Sequence, residues 1–373
     1  MTKDQAPAPS APRLSALTVL GIFLRLGLTS FGGPVAHIGY FHHEFVERKK
    51  WLTDQAYADL VALCQFLPGP GSSQIGIALG HRAAGLPGAL AAWTGFTLPS
   101  AVAMAAFALF LSSDTSSVAT SGAVHGLKLA AVAVVAGALL GMARSLCTDK
   151  TTKTIAALAT VLAALVSGVG GQLAAIALGI AAGLAFLRPA TSTTTPAASS
   201  KIRSALFPLT TFFLLLLTLP FLAAQFASGP LPLIDNFYRA GSLVFGGGHV
   251  VLPLLEASSV PALVDQETFL AGYGASQAVP GPLFTFASFI GASTGGIPGA
   301  TIATAAIFFP SFLLVIGVIP IWEKLSSHPR ARAALTGVNA AVVGLLAAAF
   351  YSPVWTSAIN STLDFALAAA AFA

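Results

Sequence analysis

Charge is what this sequence most lacks. Asp, Glu, Lys and Arg make up 8% of its 373 residues, against about 25% in an average soluble domain. That is too little to cover the surface of a soluble chain of this length. Hydrophobic residues make up 55%, and the few charges fall in short stretches between long apolar runs, the pattern expected when lipid is the solvent. Cysteine is also scarce. Cys64 and Cys147 form no paired motif, which excludes a disulfide framework and a cysteine metal site. His37, His42 and His43 lack further ligands around them, so no metal or other cofactor is expected. No GxxxxGK[ST] phosphate loop is present, which disfavours ATP hydrolysis. No nucleophile–base pair stands at a recognisable spacing, and no enzyme is expected. Lys and Arg (18) exceed Asp and Glu (13), but without a basic stripe and aromatic partners they do not indicate nucleic acid. A signal peptide is also missing. Residues 1–13 are polar and rich in Pro and Ala, reading as a disordered cytoplasmic tail.

What remains is a series of apolar runs. Residues 14–31 are apolar apart from Arg25 and end in Phe31-Gly32-Gly33-Pro34. Residues 37–52 are aromatic and charged. Residues 56–83 are apolar but broken at Pro68-Gly69-Pro70. The runs 88–111, 118–143 and 205–224 are long enough to cross a bilayer, which takes roughly 20 residues. Residues 154–187 hold two shorter spans. The stretch 188–204 is rich in Thr, Pro, Ala and Ser and reads as a linker. After it, 231–245 is apolar with Arg239, 269–291 is broken at Pro280-Gly281-Pro282, and 299–322, 333–350 and 354–373 read as further spans.

The second series repeats the first. Phe23, Arg25, Gly27 and Phe31-Gly32-Gly33 match Phe237, Arg239, Gly241 and Phe245-Gly246-Gly247 at an offset of 214. Gln65 and Pro68-Gly69-Pro70 match Gln277 and Pro280-Gly281-Pro282 at 212. Gly85-Leu86-Pro87-Gly88 matches Gly296-Ile297-Pro298-Gly299, and Pro99-Ser100 matches Pro310-Ser311, both at 211. Ordered Arg, Gln and Pro-Gly-Pro matches do not follow from composition bias. The domain reading is therefore a tail (1–13), a first repeat (14–187), the linker (188–204) and a second repeat (205–373).

Loop charge sets orientation. Arg48-Lys49-Lys50 precedes the first broken segment, while its counterpart 256–267 has no Lys or Arg. One span later the signs swap: 112–121 has none, whereas 323–332 holds Lys324, Arg330 and Arg332. By the positive-inside rule, equivalent loops face opposite sides. The expected fold is an all-α polytopic membrane protein of two homologous halves in inverted topology. Its helices are broken or re-entrant at Pro-Gly-Pro, and its N-terminus is cytoplasmic. Inverted repeats with broken helices mark secondary transporters, whose substrate site lies between the repeats.

Candidate site residues follow from that reading. Arg25 and Arg239 occupy equivalent apolar places, where a mid-membrane Arg costs about 2.5–3.5 kcal/mol. Their planar forks suit oxyanions; the alternative is snorkelling to the interface. The Pro68-Gly69-Pro70 and Pro280-Gly281-Pro282 breaks leave half-helices whose N-termini, at Ser72 and Ser73 in the first repeat, present free N–H groups to an anion. The alternative is a structural kink. Gln65 and Gln277 precede the breaks. Lys128 and His125 read as interfacial or locally paired, with an anion or proton relay as the alternative, and Asn339 is the polar counterpart of Lys128. His249 follows the second glycine run as a candidate proton carrier. Carboxylates fall almost entirely between the apolar runs, so a central site would favour anions.

The motifs FLRLGLTSFGGP (23–34) and LCQFLPGPGSSQ (63–74), with FYRAGSLVFGGGH (237–249) and SQAVPGP (276–282), resemble the chromate ion transporter superfamily. The resemblance covers both halves, as in its long two-domain members. It implies a bacterial inner-membrane protein that exports chromate, gives chromate resistance and has sulfate as a related anion. Gly248 stands where the first half has Pro34, so the halves need not bind ligand equally. The alternatives are a channel or carrier for another oxyanion, a membrane enzyme, or a non-transport membrane scaffold. A second copy of the chain is an open question as a partner.

Overall fold

In lipid every backbone polar group must find a partner within the protein, so apolar runs fold as helices. The computed structural model describes residues 14–113, 118–166, 169–187, 202–226, 229–244, 251–322 and 328–372. Among the described residues the regular structure is entirely helical. Five helices among the described residues are long and apolar enough to cross a membrane, including most of α4 and α12 below.

The first helices show why the broken segments turn back. Helix α1 (Ala16–Thr29) is capped by Ser15, whose side chain accepts from the Thr18 N–H. Gly32 and Gly33 then take positive φ of 92° and 73°, reversing the chain into α2 (Gly33–His42). Phe41 and Phe45 of the returning chain pack on Phe23 at ring distances of 5.7 and 5.3 Å. A second hairpin follows. Helix α3 (Asp54–Phe66) is capped by Thr53 and stops at Leu67, where Pro68-Gly69-Pro70 cannot continue a helix. Helix α4 (Gly71–Ser113) runs back as a short arm, bends at Ala84 and Gly85, and leaves as a long arm. The Leu14 N–H donates to Ala83 O at 3.0 Å, so α1 begins beside that bend.

The second half repeats these moves. Helix α9 (Leu231–Leu243) enters. Helix α10 (Val251–Ser259) returns along it, with Asn236 Nδ2 donating to Ser258 O at 3.2 Å and to Ser259 Oγ at 3.3 Å. Helix α11 (Gln266–Ala278) leads to the second Pro-Gly-Pro. Helix α12 (Phe286–Val318) bends at Gly295 and Gly296, 211 residues after the bend in α4.

Between the hairpin pairs lie the long arm of α4, then α5 (Val118–Leu146), α6 (Lys150–Leu165), α7 (Val169–Phe186) and α8 (Ile202–Gln225). Three of these, the long arm of α4, α5 and α8, are long and apolar enough to cross a membrane; the inverted topology expected from the sequence takes all five as passes and brings the second pair in from the opposite face. One contact agrees with this. The long arm of α4 starts beside Leu14, at the entry of the first hairpins. It ends with Leu111 and Ser112 lining a cavity of about 300 Å³ with Pro261, Leu263 and Asp265, at the entry of α11.

Helices α4 and α12 pack against each other at the junction of the halves. Helix α13 (Pro329–Ala349) packs on α6 and α7, and Gly337 meets Gly179 backbone to backbone. The expected span 354–373 is not continuous. A π-helical turn at Phe350–Trp355 and an irregular stretch precede α14 (Thr362–Phe372), which is too short to cross alone. The cause is polar: the Asp364 N–H donates to Ser361 Oγ, and the Asn360 N–H donates to the Asp364 carboxylate. These bonds start a new helix instead of extending an old one.

Candidate functional site

The two Pro-Gly-Pro loops meet the opposite halves, and they do so symmetrically. The Gly69 N–H donates to Val244 O at 2.6 Å, and the Gly281 N–H donates to Ser30 O at 2.9 Å. Ser30 and Val244 are repeat equivalents, each directly before its Phe-Gly-Gly. Each loop of one half is therefore bonded to the helix tip of the other. Both glycines are at positive φ, 120° and 99°, where an L side chain is strained. A Cβ on Gly69 would stand 2.8 Å from Ser311 Oγ, and one on Gly281 would stand 2.8 Å from Ser100 Oγ. Ser100 and Ser311 are themselves repeat equivalents, both fully buried.

This centre is polar without being charged. No Asp, Glu, Lys, Arg or His occurs in 60–80, 86–113 or 268–322, the segments that build it. Several of its buried polar atoms have no protein partner: Ser30 Oγ, Ser73 Oγ, Gln74 Oε1, Thr97 Oγ1 and Ser311 Oγ. Buried polar atoms are seldom left unpaired in folded proteins, and several of these lie in or beside the segments where the halves exchange hydrogen bonds.

Among the described residues one histidine reaches the centre. His37, on α2, is fully buried. Its Nε2 lies 3.2 Å from Ser30 O and its Nδ1 3.3 Å from Ser72 Oγ. The Phe96 ring stands edge-on to the imidazole at 5.2 Å. The Ser30 carbonyl therefore joins the Gly281 N–H of the second half to the imidazole of the first, and the imidazole reaches the first turn of α4.

The halves differ in what they offer. Ser72, Ser73 and Gln74 open the short arm of α4, all buried. Gln74 Nε2 donates to Pro68 O at 2.6 Å, which braces the loop. In the second half a 3-10 turn, Leu283–Thr285, follows the break. Phe284 and Phe286 fill the space there, and the Thr285 hydroxyl is used on Pro282 O at 2.8 Å. The hydroxyl-rich half-helix start belongs to the first half alone.

The charged candidates are dispersed. Arg25 is exposed on α1. Arg239 pairs with buried Asp235 one turn earlier, at 2.6 Å, and lines a cavity of about 50 Å³ with Leu173 and Asn236. Lys128 pairs with exposed Glu267 at 3.0 Å, at the first turn of α11. His125 pairs with Asp364 at 2.7 Å. Asn339 lies on α13, with its Oδ1 unpartnered. Gln65 is exposed, and Gln277 is half-buried with a long bond to Ser276 Oγ. His249 lies outside the described residues. The expectation that carboxylates keep to the loops is corrected: Asp235, Glu256, Glu267 and Asp364 are all helical. Asp235 is held by Arg239 a turn away, Glu267 by Lys128 and Asp364 by His125.

Sequence reasoning weighed His37 only as a metal ligand, and it passed over Ser30 and Asp235. One signal was available. At the 212 offset of the Pro-Gly-Pro loops, His37 corresponds to His249 and Glu44 to Glu256, which marks the histidine as part of the repeat. Among the described residues no cluster of His, Cys, Asp and Glu is arranged to hold a metal.

Comparison with known proteins bears out the family resemblance. The family profile described as "Chromate transporter" matches residues 17–187 and 231–373. The chromate transport protein of Pseudomonas aeruginosa is 30% identical over 353 residues, covering 93% of this chain and 82% of that one. The chromate transport protein of Cupriavidus metallidurans is 28% identical, covering 91% and 83%. A probable chromate transport protein of Synechococcus elongatus is 27% identical, covering 91% and 84%. No solved structure matches the chain.

Proposed function

The chain belongs to the chromate transporter family, and we propose that it is a secondary carrier exporting chromate, with sulfate as a competing anion, across a bacterial inner membrane. In this reading its two repeats, 14–187 and 205–373 with the linker 188–204 between them, rock about a shared centre, and the N-terminus is cytoplasmic. The observation that carries it is the exchange of hydrogen bonds between each Pro-Gly-Pro loop and the opposite half. A symmetric crossover of broken helices at membrane depth is where an alternating-access carrier holds its substrate. The chemistry favours an oxyanion. The centre has no carboxylate, it has unpartnered hydroxyls, and the start of the short arm of α4 adds N–H donors and a positive dipole end. The proposed ligand-facing residues are Ser72 and Ser73, the backbone of 68–70 and 280–282, and Ser30, Ser100 and Ser311. Arg25, five residues before Ser30, is proposed to hold the anion by its planar fork on the way to the centre. Arg239, Lys128, Asn339 and the two glutamines are proposed for outer roles.

Export of a dianion is assisted by an inside-negative potential by about 2.3 kcal/mol per charge per 100 mV, so no ATP is required. The test is chromate uptake into inside-out vesicles. The wild type should give saturable uptake that sulfate inhibits and that counter-loaded chromate accelerates. Gly69→Val and Gly281→Val should insert normally and lose uptake at least tenfold. Equal chromate accumulation in cells with and without the protein, and no flux in vesicles, would overturn the proposal. Unsaturable flux without counterflow would replace the carrier with a channel.

A further inference from the structure

His37 is placed so that both of its ring nitrogens have defined work. A backbone carbonyl only accepts, so Nε2, facing Ser30 O, must carry a proton. In the neutral ring Nδ1 is then an acceptor, and the Ser72 hydroxyl, 3.3 Å away, donates to it. Uptake of one proton from solvent forms an Nδ1–H bond and reverses this arrangement. Nδ1 becomes a donor, Ser72 Oγ accepts, and the Ser72 hydroxyl proton is released to point elsewhere. At the first turn of α4 it then joins the unpartnered Ser73 hydroxyl and the free N–H groups.

Among the described residues the surroundings leave that charge uncompensated until an anion arrives. The π-turn that continues α2 brings Glu44, about two turns beyond His37 and held by Arg48 and Lys49 at 3.3 and 3.7 Å, and α3 brings Asp59, which is exposed. Helix α1 brings Arg25, which is exposed. Helix α2 brings His42, which pairs with Asp54 and Glu47 at its far end. The short arm of α4 carries His81 and Arg82 about ten residues, or roughly 15 Å, beyond Ser72. The long arm of α4 presents Phe96, and the loop of the second half that bonds Ser30 has no ionisable residue. A buried imidazolium with no carboxylate beside it is costly, and a dianion at the start of α4 supplies the missing counter-charge.

We infer that His37 is the proton-coupling residue of this carrier: a proton at Nδ1 turns the Ser72 hydroxyl toward a dianion at the start of α4, so that one proton and one oxyanion occupy the site together. The inference rests on the transport reading above. Linkage is reciprocal, so the anion must raise the proton affinity by the factor by which the proton raises the anion's. The pair carries a net charge of −1, which the membrane potential still drives outward.

The experiment uses the full chain in proteoliposomes with a trapped pH dye and external chromate, above neutral pH where chromate is itself a dianion. In the wild type chromate entry should acidify the lumen, with about one proton per anion, and the apparent Km should fall as pH is lowered, by at most roughly tenfold per unit for a single linked proton. His37→Gln, which keeps a donor and an acceptor but cannot be protonated, should carry chromate without protons and with a flat Km against pH. Ser72→Ala keeps the imidazole but has no hydroxyl to redirect, so most of the Km gain on acidification should vanish. It gives a second reading if His37→Gln fails to insert. Chromate flux without protons in the wild type, or unchanged proton coupling in His37→Gln, overturns the inference and leaves the transport reading intact. The absence of any chromate flux overturns both.

Discussion

Arg25 and Arg239 look interchangeable in the repeat, yet their neighbours separate them. Asp235 stands four residues before Arg239; at the same offset, Gly21 stands four before Arg25. Arg239 is thereby neutralised by a carboxylate with 6% side-chain exposure, whereas among the described residues Arg25 has no ion pair. Arg25→Ala should reduce chromate flux at least tenfold with unchanged thermal stability, and Arg25→Lys should recover little, because a point charge does not reproduce the planar fork. Arg239→Ala should act on stability instead. It strands a buried carboxylate, a loss of about 3 kcal/mol, taken at the low end because the Arg239 side chain is 37% exposed and water screens it. The double variant Asp235→Asn/Arg239→Gln should restore most of that loss. Melting temperatures of the purified variants separate the two cases; equal destabilisation by Arg25→Ala and Arg239→Ala would refute the distinction.

At the scale of elements, most of the hairpin pattern was legible. Proline and glycine act locally, so Pro68-Gly69-Pro70 and Pro280-Gly281-Pro282 mark their breaks without tertiary information, and Phe31-Gly32-Gly33 does likewise. The bonds between halves were not legible, because Gly69 and Val244 are distant in sequence and backbone donors carry no sequence signature. His37 was missed for a related reason: its partners are a carbonyl and a serine, and sequence motifs of histidine are motifs of metals and nucleophiles. The apparent last span failed because apolar content alone does not show that Ser361 and Asp364 restart the helix. Capping elsewhere gives a pH prediction. Asp149 caps α6, accepting from the Thr152 N–H at 2.9 Å within a capping box. That bond holds the Asp149 carboxyl below its usual range. Its contribution is therefore fully present above the unfolded value, about 3.9, and is lost as pH falls through the depressed folded value. Asp149→Ala should cost about 1 kcal/mol near neutral pH, and acidification should bring variant and wild-type melting curves together. A deficit that persists in strong acid would assign the loss to something other than the ionised cap.

For the whole molecule the decisive property is the odd number of passes proposed between the hairpin pairs. The first pair and its basic cluster, Arg48 to Lys50, then face the side opposite Asp265, at the start of α11. Single cysteines placed at Lys49 and at Asp265 in a Cys64→Ala/Cys147→Ala background should react with an impermeant maleimide from opposite sides of the membrane. Labelling of both from one side would overturn the inverted arrangement. The same arrangement accounts for the unequal chemistry of the halves. Inversion repeats the scaffold, but where the first half has Ser72 and Gln74 the second has Phe284 and Phe286, so one repeat supplies donors while the other fills the corresponding place with rings.

The crossed bonds from Gly69 to Val244 and from Gly281 to Ser30 also impose an order on biosynthesis. A ribosome must translate 281 residues before the carbonyl at position 30 meets its distant donor, and Gly69 waits until position 244 has emerged. Over that interval the nascent first half sits in the bilayer with an unmet N–H in its Pro-Gly-Pro loop, a cost of a few kcal/mol in hydrocarbon. A gene cut in the 188–204 segment should therefore yield fragments that are short-lived alone and durable together, each acting as the other's insertion partner.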